Sequence, residues 1–326
     1  MKKIGIVGIW HQGAVASACF GEAGFHVIGV DSDKKKIDKL SSGNAPLFEP
    51  GLDDLLKSCL QKGTLLFSSS FDSLKDCDAV FLMHDTPVDE FDKADISGVL
   101  ADASSVAPSL QKPALIVVTA QVPVGTCSLI ADTIRKANPS LDFTLAYIPE
   151  NLRLGEAIRL FKDPALPVIG ADDEETFQGV KEIYSRITNA KWNHVSLKTA
   201  EMTKHALNAF IGTTITFGNE LGRICDEVGA DGKMIAQMLK LEPRIGSKAM
   251  LFPGLGFSGG TIARDIQTLM AIGKAKGTTL QLLDGLWASN TAQNALPVEM
   301  LRECLGTLRG KIILVLGLTY KPGTST

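Results

Sequence analysis

The sequence predicts an α/β protein, a Rossmann-type and mostly parallel sheet domain followed by a mainly helical region, and three observations carry that prediction. The chain opens strand, tight turn, helix. Lys3-Ile4-Gly5-Ile6-Val7-Gly8 is a short apolar run suited to a parallel strand buried on both faces, and Gly13-Ala14-Val15-Ala16-Ser17-Ala18-Cys19 starts a helix of small residues. A second apolar run, His26-Val27-Ile28-Gly29-Val30, ends on an acid, Asp31. Strand-like runs then alternate with helix-length segments as far as Tyr147, and from Ser196 the texture changes to one long helical pattern.

In chain order, the first turn reads Gly8-Ile9-Trp10-His11-Gln12-Gly13. It departs from G-x-G-x-x-G, because Trp10 stands where a second glycine lets a pyrophosphate come close. Two readings stay open. In one, Trp10 turns outward and the amides of His11 and Gln12 still face phosphate at the helix N-terminus. In the other, the site is dead or takes another ligand. Asp31 stands where an acid bonds both ribose hydroxyls, which favours NAD over NADP.

Thr64–Phe67, Ala79–Met83, Leu115–Val118 and Phe143–Tyr147 read as further strands. Two strand ends carry turns, Asp85-Thr86-Pro87 and Gln121-Val122-Pro123-Val124-Gly125-Thr126. Ligands of such sheets bind beyond the carboxyl ends of the strands, so Thr86 and Gln121 are expected near the nicotinamide, although Pro87 and Pro123 taken singly merely turn the chain.

The chain has 326 residues, 45% hydrophobic and 21% charged, enough for two domains with their own cores. A formal charge of -3 with both signs interspersed gives no long-range attraction for nucleic acid or anionic membrane, which leaves small molecules as the expected partners. Apolar runs such as Ile312–Leu318 are too short to span a bilayer, and no cleavable apolar leader follows Lys2-Lys3. Cys19, Cys59, Cys77, Cys127, Cys225 and Cys304 are scattered without metal-like spacing; they read as reduced thiols of a cytoplasmic protein, and no metal is expected.

The long helical pattern contains Ala200-Glu201-Met202-Thr203-Lys204-His205-Ala206-Leu207-Asn208 and continues toward Glu227. Lys204 and Asn208, at i and i+4, lie on one face and can reach one substrate. Further on, four of the seven residues from Gly254 to Gly260 are glycine, and Arg264-Asp265 follow at the start of an apolar-periodic segment. That arrangement reads as a loop delivering polar groups at a helix start.

Together these strings resemble the UDP-glucose/GDP-mannose 6-dehydrogenase family over essentially the whole chain. The resemblance rests on the order of Pro46–Leu52, Pro123–Thr126, Pro149-Glu150-Asn151-Leu152-Arg153, Glu201–Asn208, Asn219-Glu220, Arg244-Ile245-Gly246, the glycine loop and Leu316–Pro322. It implies an NAD-binding domain over residues 1–197 and a helical central and dimerisation domain with the substrate loop over 198–308. It also implies the start of a second Rossmann-like, nucleotide-sugar domain over 309–326. Lys311–Gly317 resembles that domain's first strand, and since nine residues follow it, a truncated chain is expected.

The resemblance further implies roles. Lys204 stabilises negative charge, Asn208 holds a water or the sugar, Asp265 orders the active-site water, and Glu150 is an acid near the sugar. Lys36 lies near the adenosine ribose, completing a cofactor set of Gly8, Trp10, His11, Gln12, Gly13, Asp31, Lys36, Thr86 and Gln121. Leu152, Arg244, Gly256, Phe257, Gly260 and Lys321 are implied substrate contacts, together with Glu150, Lys204 and Asn208. Where the family carries its nucleophilic cysteine this chain has Thr261, a far poorer nucleophile unless a base activates it. Ala120-Gln121 stands for Ser-Thr, and Leu154 for a glutamate near the cofactor. The resulting expectation is an NAD-dependent oxidation of a UDP- or GDP-hexose at C6, by one step or by a cysteine-independent double oxidation, in a homodimer. A non-catalytic nucleotide-sugar or dinucleotide-binding protein is the rival. A β-hydroxyacid dehydrogenase is a third reading, opposed by the strings around Phe48 and Arg244.

Overall fold

The computed structural model describes residues 2–88, 94–259 and 261–317. Residues 2–87 and 95–204 form one compact unit and residues 205–317 a second.

The first unit alternates strands and helices: β1 (Lys3–Val7), α1 (His11–Glu22), β2 (His26–Val30), α2 (Lys34–Ser41), α3 (Leu52–Gln61), β3 (Leu65–Ser68), β4 (Ala79–Leu82), α4 (Ser97–Ser109), β5 (Ala114–Val118), α5 (Thr126–Ala137), β6 (Phe143–Tyr147), α6 (Ala157–Lys162), β7 (Val168–Ala171), α7 (Glu174–Tyr184) and β8 (Asn193–Val195). The strands form one sheet in the order β3-β2-β1-β4-β5-β6-β7-β8. All pairings are parallel except β6 with β7. The expected strands start or stop within a residue of those observed, apart from β7 and β8, which the sequence pattern did not announce.

Both faces of this sheet are covered, which is why its strands read as unbroken apolar runs rather than alternations. Successive residues point to opposite faces. Val27, Phe81 and Val117 pack with α1, α3, α6 and α7. Ile28, Val80 and Ile116 pack on the other side with α4 and α5. Phe20 of α1 sits against the rings of Phe25, Phe81, Phe161 and Tyr184. Strand β1 has β2 on one side and β4 on the other, so chain order reverses there, and the carboxyl ends of β1 and β4 flank the topological switch point where such sheets bind ligands.

Helix α8 (Leu197–Val228) begins in the first unit and continues into the second, which adds α9 (Gly232–Leu239), α10 (Ile262–Lys276) and α11 (Gln281–Leu305). Asp231 caps α9 by accepting from Met234 N, and Gly277, at φ +69°, ends α10 in the left-handed conformation that suits glycine. The core here is small: Ala209, Phe257, Ala263, Ile266 and Leu286. Residues 311–317, expected as a strand, pair with no strand among the described residues, and Ile312, Leu314, Val315 and Leu316 are exposed. A strand exists through its ladder, so apolar composition alone does not make one. No helix among the described residues is long and apolar enough to cross a membrane.

Candidate active site

The turn after β1 is built around glycines that the backbone requires. Gly8 takes φ +88°, and a Cβ added there would lie 2.7 Å from the backbone nitrogen of His84. A Cβ on Gly13 would strike the carbonyl oxygen of Gly8. Trp10 occupies the N-cap position of α1 without capping it by a side-chain hydrogen bond. Its indole is 41% exposed, and Lys36 Nζ lies 5.9 Å from the ring centroid. The first amides of a helix have no intrahelical acceptor, so His11, Gln12 and Gly13 present an uncapped N-terminus beside the glycine turn.

Asp31, at the end of β2, accepts through Oδ2 from Ile9 N at 3.0 Å and Lys36 Nζ at 2.6 Å, and through Oδ1 from Asp33 N at 3.0 Å. The remaining lone pair on Oδ1 can accept a ribose hydroxyl. An uncapped helix N-terminus, a glycine at the switch point and an acid one strand away are the features that fit NAD. Gly8, Trp10, Gly13, Asp31 and Lys36 are thus brought together.

His11 and Gln12 lead away from the turn to other elements. His11 Nε2 meets Glu49 Oε2 at 2.9 Å; the same carboxylate accepts from Gly155 N at 2.9 Å and Ala157 N at 2.8 Å. Glu49 is nearly inaccessible and therefore needs those donors. It ties the Pro46–Leu52 string to the loop that follows β6. Gln12 Nε2 donates to Thr119 Oγ1 at 2.7 Å. Thr86 Oγ1 donates to the Gln121 carbonyl at 2.7 Å, and Tyr147 Oη to the Ala120 carbonyl at 3.1 Å. The carboxyl ends of β4, β5 and β6 are knitted together by these bonds, with Thr86 and Gln121 side by side.

The start of α8 is fixed to the same edge. Glu201 is fully buried and accepts from Gly125 N at 2.6 Å and Cys127 N at 2.8 Å, placing a carboxylate on the N-terminus of α5. One turn on, Lys204 is 5% exposed and donates from Nζ to Asn151 Oδ1 at 3.1 Å. Next to Asn151, Glu150 Oε1 accepts from Leu152 N at 2.6 Å. Lys204, Glu150 and Leu152 therefore gather in the first unit.

In the second unit the centre is Asp265, in the first turn of α10 and without solvent exposure. Its Oδ1 meets His205 Nδ1 at 2.8 Å, and its Oδ2 accepts from Asn208 Nδ2 at 2.5 Å. His205 was not foreseen as a site residue; its partner lies sixty residues away, and no local pattern marks the pairing. Thr261 is the N-cap residue of α10, one turn before Asp265, and makes no side-chain capping bond.

The glycine loop is held rather than loose. Asn219 accepts from Gly254 N at 2.8 Å, Gln293 Nε2 donates to the Gly254 carbonyl at 2.7 Å, and Asn290 bonds both the N–H and the carbonyl of Phe257 at 2.9 Å. Asn294 adds a bond to the Phe257 carbonyl at 3.3 Å. A Cβ on Gly256 would lie 2.5 Å from Asn294 Oδ1, so that glycine admits the clamp. Within the described loop only Gly259, at φ +84°, uses the left-handed region. The buried amides of α11 were the available sequence signal, because Asn290 and Gln293 interrupt an otherwise helical apolar face. Arg244 is exposed and bonded to Glu242 Oε1 at 2.9 Å, joining none of the other candidates. Gly260 and Lys321 lie outside the described residues.

Cys225 sits seventeen residues beyond Asn208 on α8, ~25 Å along the helix. In the first unit, burial pushes the Cys19 thiol up to about 12 and Cys77 up to about 11, and burial with Glu201 nearby raises Cys127. Such thiols do not supply thiolate at neutral pH.

Comparison with known proteins gives matches along most of the chain. Residues 2–188 match the model of the UDP-glucose/GDP-mannose dehydrogenase family's NAD binding domain, and residues 198–292 match that family's central domain. UDP-glucose 6-dehydrogenase TuaD of Bacillus subtilis is 34% identical over 327 residues, covering 100% of this chain and 70% of that protein. UDP-glucose 6-dehydrogenase of Rhizobium meliloti is 36% identical over 332 residues, covering 99% and 75%. The structure of a UDP-glucose dehydrogenase from Pyrobaculum islandicum superposes with a TM-score of 0.89 at 30% identity, covering 95% of this chain and 72% of that one. The chain belongs to the UDP-glucose/GDP-mannose dehydrogenase family, and its first domain is that family's NAD-binding domain.

Proposed function

We propose that the protein oxidises the C6 alcohol of a UDP- or GDP-hexose with NAD, by a route that uses no enzyme cysteine. The observation that carries this reading is that one helix, α8, supplies both a buried cation, Lys204, and the two side chains, His205 and Asn208, that hold the buried Asp265 carboxylate. NAD supplies the hydride acceptor. Lys204 stabilises the oxygen as it gains alkoxide character, since a preorganised cation in a site of low dielectric lowers that barrier. Asp265 takes up the hydroxyl proton, directly or through an ordered water, while the Asn208 amide and the His205 ring keep the carboxylate oriented. Glu150, steadied by Leu152 N, is a second acid beside the sugar.

Each oxidation removes a hydride and a proton from the substrate. The first leaves an aldehyde. Addition of water gives the gem-diol, whose carbon can give up a second hydride to a second NAD and whose hydroxyl proton goes the same way as before, leaving the acid. That sequence forms no bond to the protein, so Thr261 need not act as a nucleophile. Leu152, Gly256, Phe257, Gly260, Arg244 and Lys321 are proposed substrate contacts. Gly8, Trp10, His11, Gln12, Gly13, Asp31, Lys36, Thr86 and Gln121 are the proposed cofactor contacts. Residues 1–197, 198–308 and 309–326 are read as the NAD domain, the central domain and the start of a nucleotide-sugar domain.

A homodimer through α8 belongs to the same proposal. Phe210, Phe217 and Ile224 are exposed and recur every seven residues, with Val228 one turn further, an apolar stripe of the kind a second helix covers. Arg244, which joins no site residue among the described residues, is then available to the partner's site. The test of the activity is to supply NAD with a panel of UDP- and GDP-sugars and follow NADH. Formation of NADH with one of them supports the reading; tight binding without NADH would favour a non-catalytic binding protein.

A further inference from the structure

We propose that His84, held by Asp102, is a cationic contact for the adenosine-diphosphate half of NAD and makes this chain's cofactor affinity depend on pH. The inference rests on the family's NAD-binding domain and on the place of His84 within it. His84 lies just beyond the carboxyl end of β4, on one side of the switch point, and its backbone nitrogen is the atom that a Cβ on Gly8 would strike. It therefore stands alongside the glycine that begins the cofactor turn. The adenosine end of that turn is marked by Asp31, at the end of β2 on the other side of β1.

The ring is built in. His84 Nδ1 meets Asp102 Oδ2 on α4 at 2.7 Å, and the Nε2 edge packs over Gly98, where any Cβ would collide with it. Gly98 thus makes room for an imidazole at this position. The side chain is 33% exposed, so a ligand at the switch point can reach it.

Four carboxylates act on this ring: Asp102 from α4, Asp31 from the end of β2, Asp85 beside it in the loop, and Asp95 ahead of α4. A diphosphate arriving beside so many negative charges needs compensation. Lys36 provides part of it, although it is already paired to Asp31. An imidazolium at His84 provides the rest, and its bond to Asp102 fixes Nδ1–H so that Nε2–H is the donor left for the ligand. The hydrogen bond to Asp102 holds the His84 pKa above the ordinary histidine value, with burial opposing and the neighbouring aspartates assisting. The charged form therefore persists toward neutral pH. Cofactor binding is strongest below that pKa and weakens as pH rises through it.

Calorimetric titration of the protein with NAD, with ADP and with nicotinamide mononucleotide, from about pH 6 to about pH 9, tests this. The wild type should lose about tenfold in affinity for NAD and for ADP across the range, the loss expected when a charge-assisted hydrogen bond goes. Nicotinamide mononucleotide should show no such slope. His84→Val should bind NAD weakly at every pH with the slope abolished, and Asp102→Asn should move the midpoint to lower pH. A His84→Val profile parallel to wild type, an equal slope with nicotinamide mononucleotide, or an unmoved midpoint in Asp102→Asn would each overturn the proposal. If His84→Val does not fold, as judged by circular dichroism, the Asp102→Asn midpoint decides. Binding without turnover on any sugar would count against the proposed reaction and leave this inference standing.

Discussion

Asp265 is the residue on which the chemistry turns, because it is a carboxylate without solvent exposure that His205 and Asn208 hold in place. A buried charge is tolerable only while its partners remain. Asp265→Asn should lower kcat by about a hundredfold or more, since the proton acceptor is gone, with little change in NAD affinity; steady-state kinetics and a binding titration separate the two. His205→Gln should cost ~1–3 kcal/mol of stability by weakening the bond to Asp265, measurable by denaturant unfolding. At Thr261 the expected change runs the other way: Thr261→Cys should raise acid formation and make it sensitive to alkylation, if the missing nucleophile is all that separates this site from a thiol route. His84 makes a separate prediction about stability. Its folded pKa is raised, so the stabilisation from Asp102 is complete below the ordinary histidine value and disappears as pH rises through the raised value. The difference in melting temperature between wild type and His84→Val should shrink as pH is raised across that window.

At the scale of elements, α8 and the glycine loop are coupled by polar groups that the chain buries on purpose. Asn219 and Asn290 grip the loop backbone at Gly254 and Phe257, and Gln293 and Asn294 complete the clamp. Asn290→Ala removes two of these bonds and leaves the Phe257 N–H without its acceptor, while the carbonyl keeps Asn294, so it should cost ~1–3 kcal/mol. Turnover should fall with it, because the loop carries Thr261 and leads into Asp265; chemical denaturation together with kinetics distinguishes this from a purely local defect. The exposed stripe on α8 makes its own prediction. Phe217→Glu places a charge in the proposed dimer seam and should shift the protein toward monomer in sedimentation analysis. An unchanged sedimentation coefficient would remove α8 from the interface.

Over the whole molecule, much of the first unit could be read from the chain because parallel strands buried on both faces leave unbroken apolar runs. His26–Val30 and Phe143–Tyr147 are observed as strands with those bounds. Strand β8 escaped notice because three residues are too short to show a period. Residues 311–317 had the composition of a strand but pair with no strand among the described residues, which composition cannot reveal. Site candidates came to light as strings, yet the bonds that organise them join residues far apart in sequence: Glu49 to Gly155 and Ala157, Glu201 to Gly125 and Cys127, His205 to Asp265, His84 to Asp102. No periodicity encodes such pairs; only the folded chain brings them within reach. The central claim is an oxidation of a nucleotide sugar that needs no thiol, and the most direct measurement is NADH formation from NAD and UDP- or GDP-hexoses before and after treatment with iodoacetamide. Turnover that alkylation leaves unchanged is the expected result. Turnover abolished by alkylation, or no NADH from any of the sugars, would contradict it.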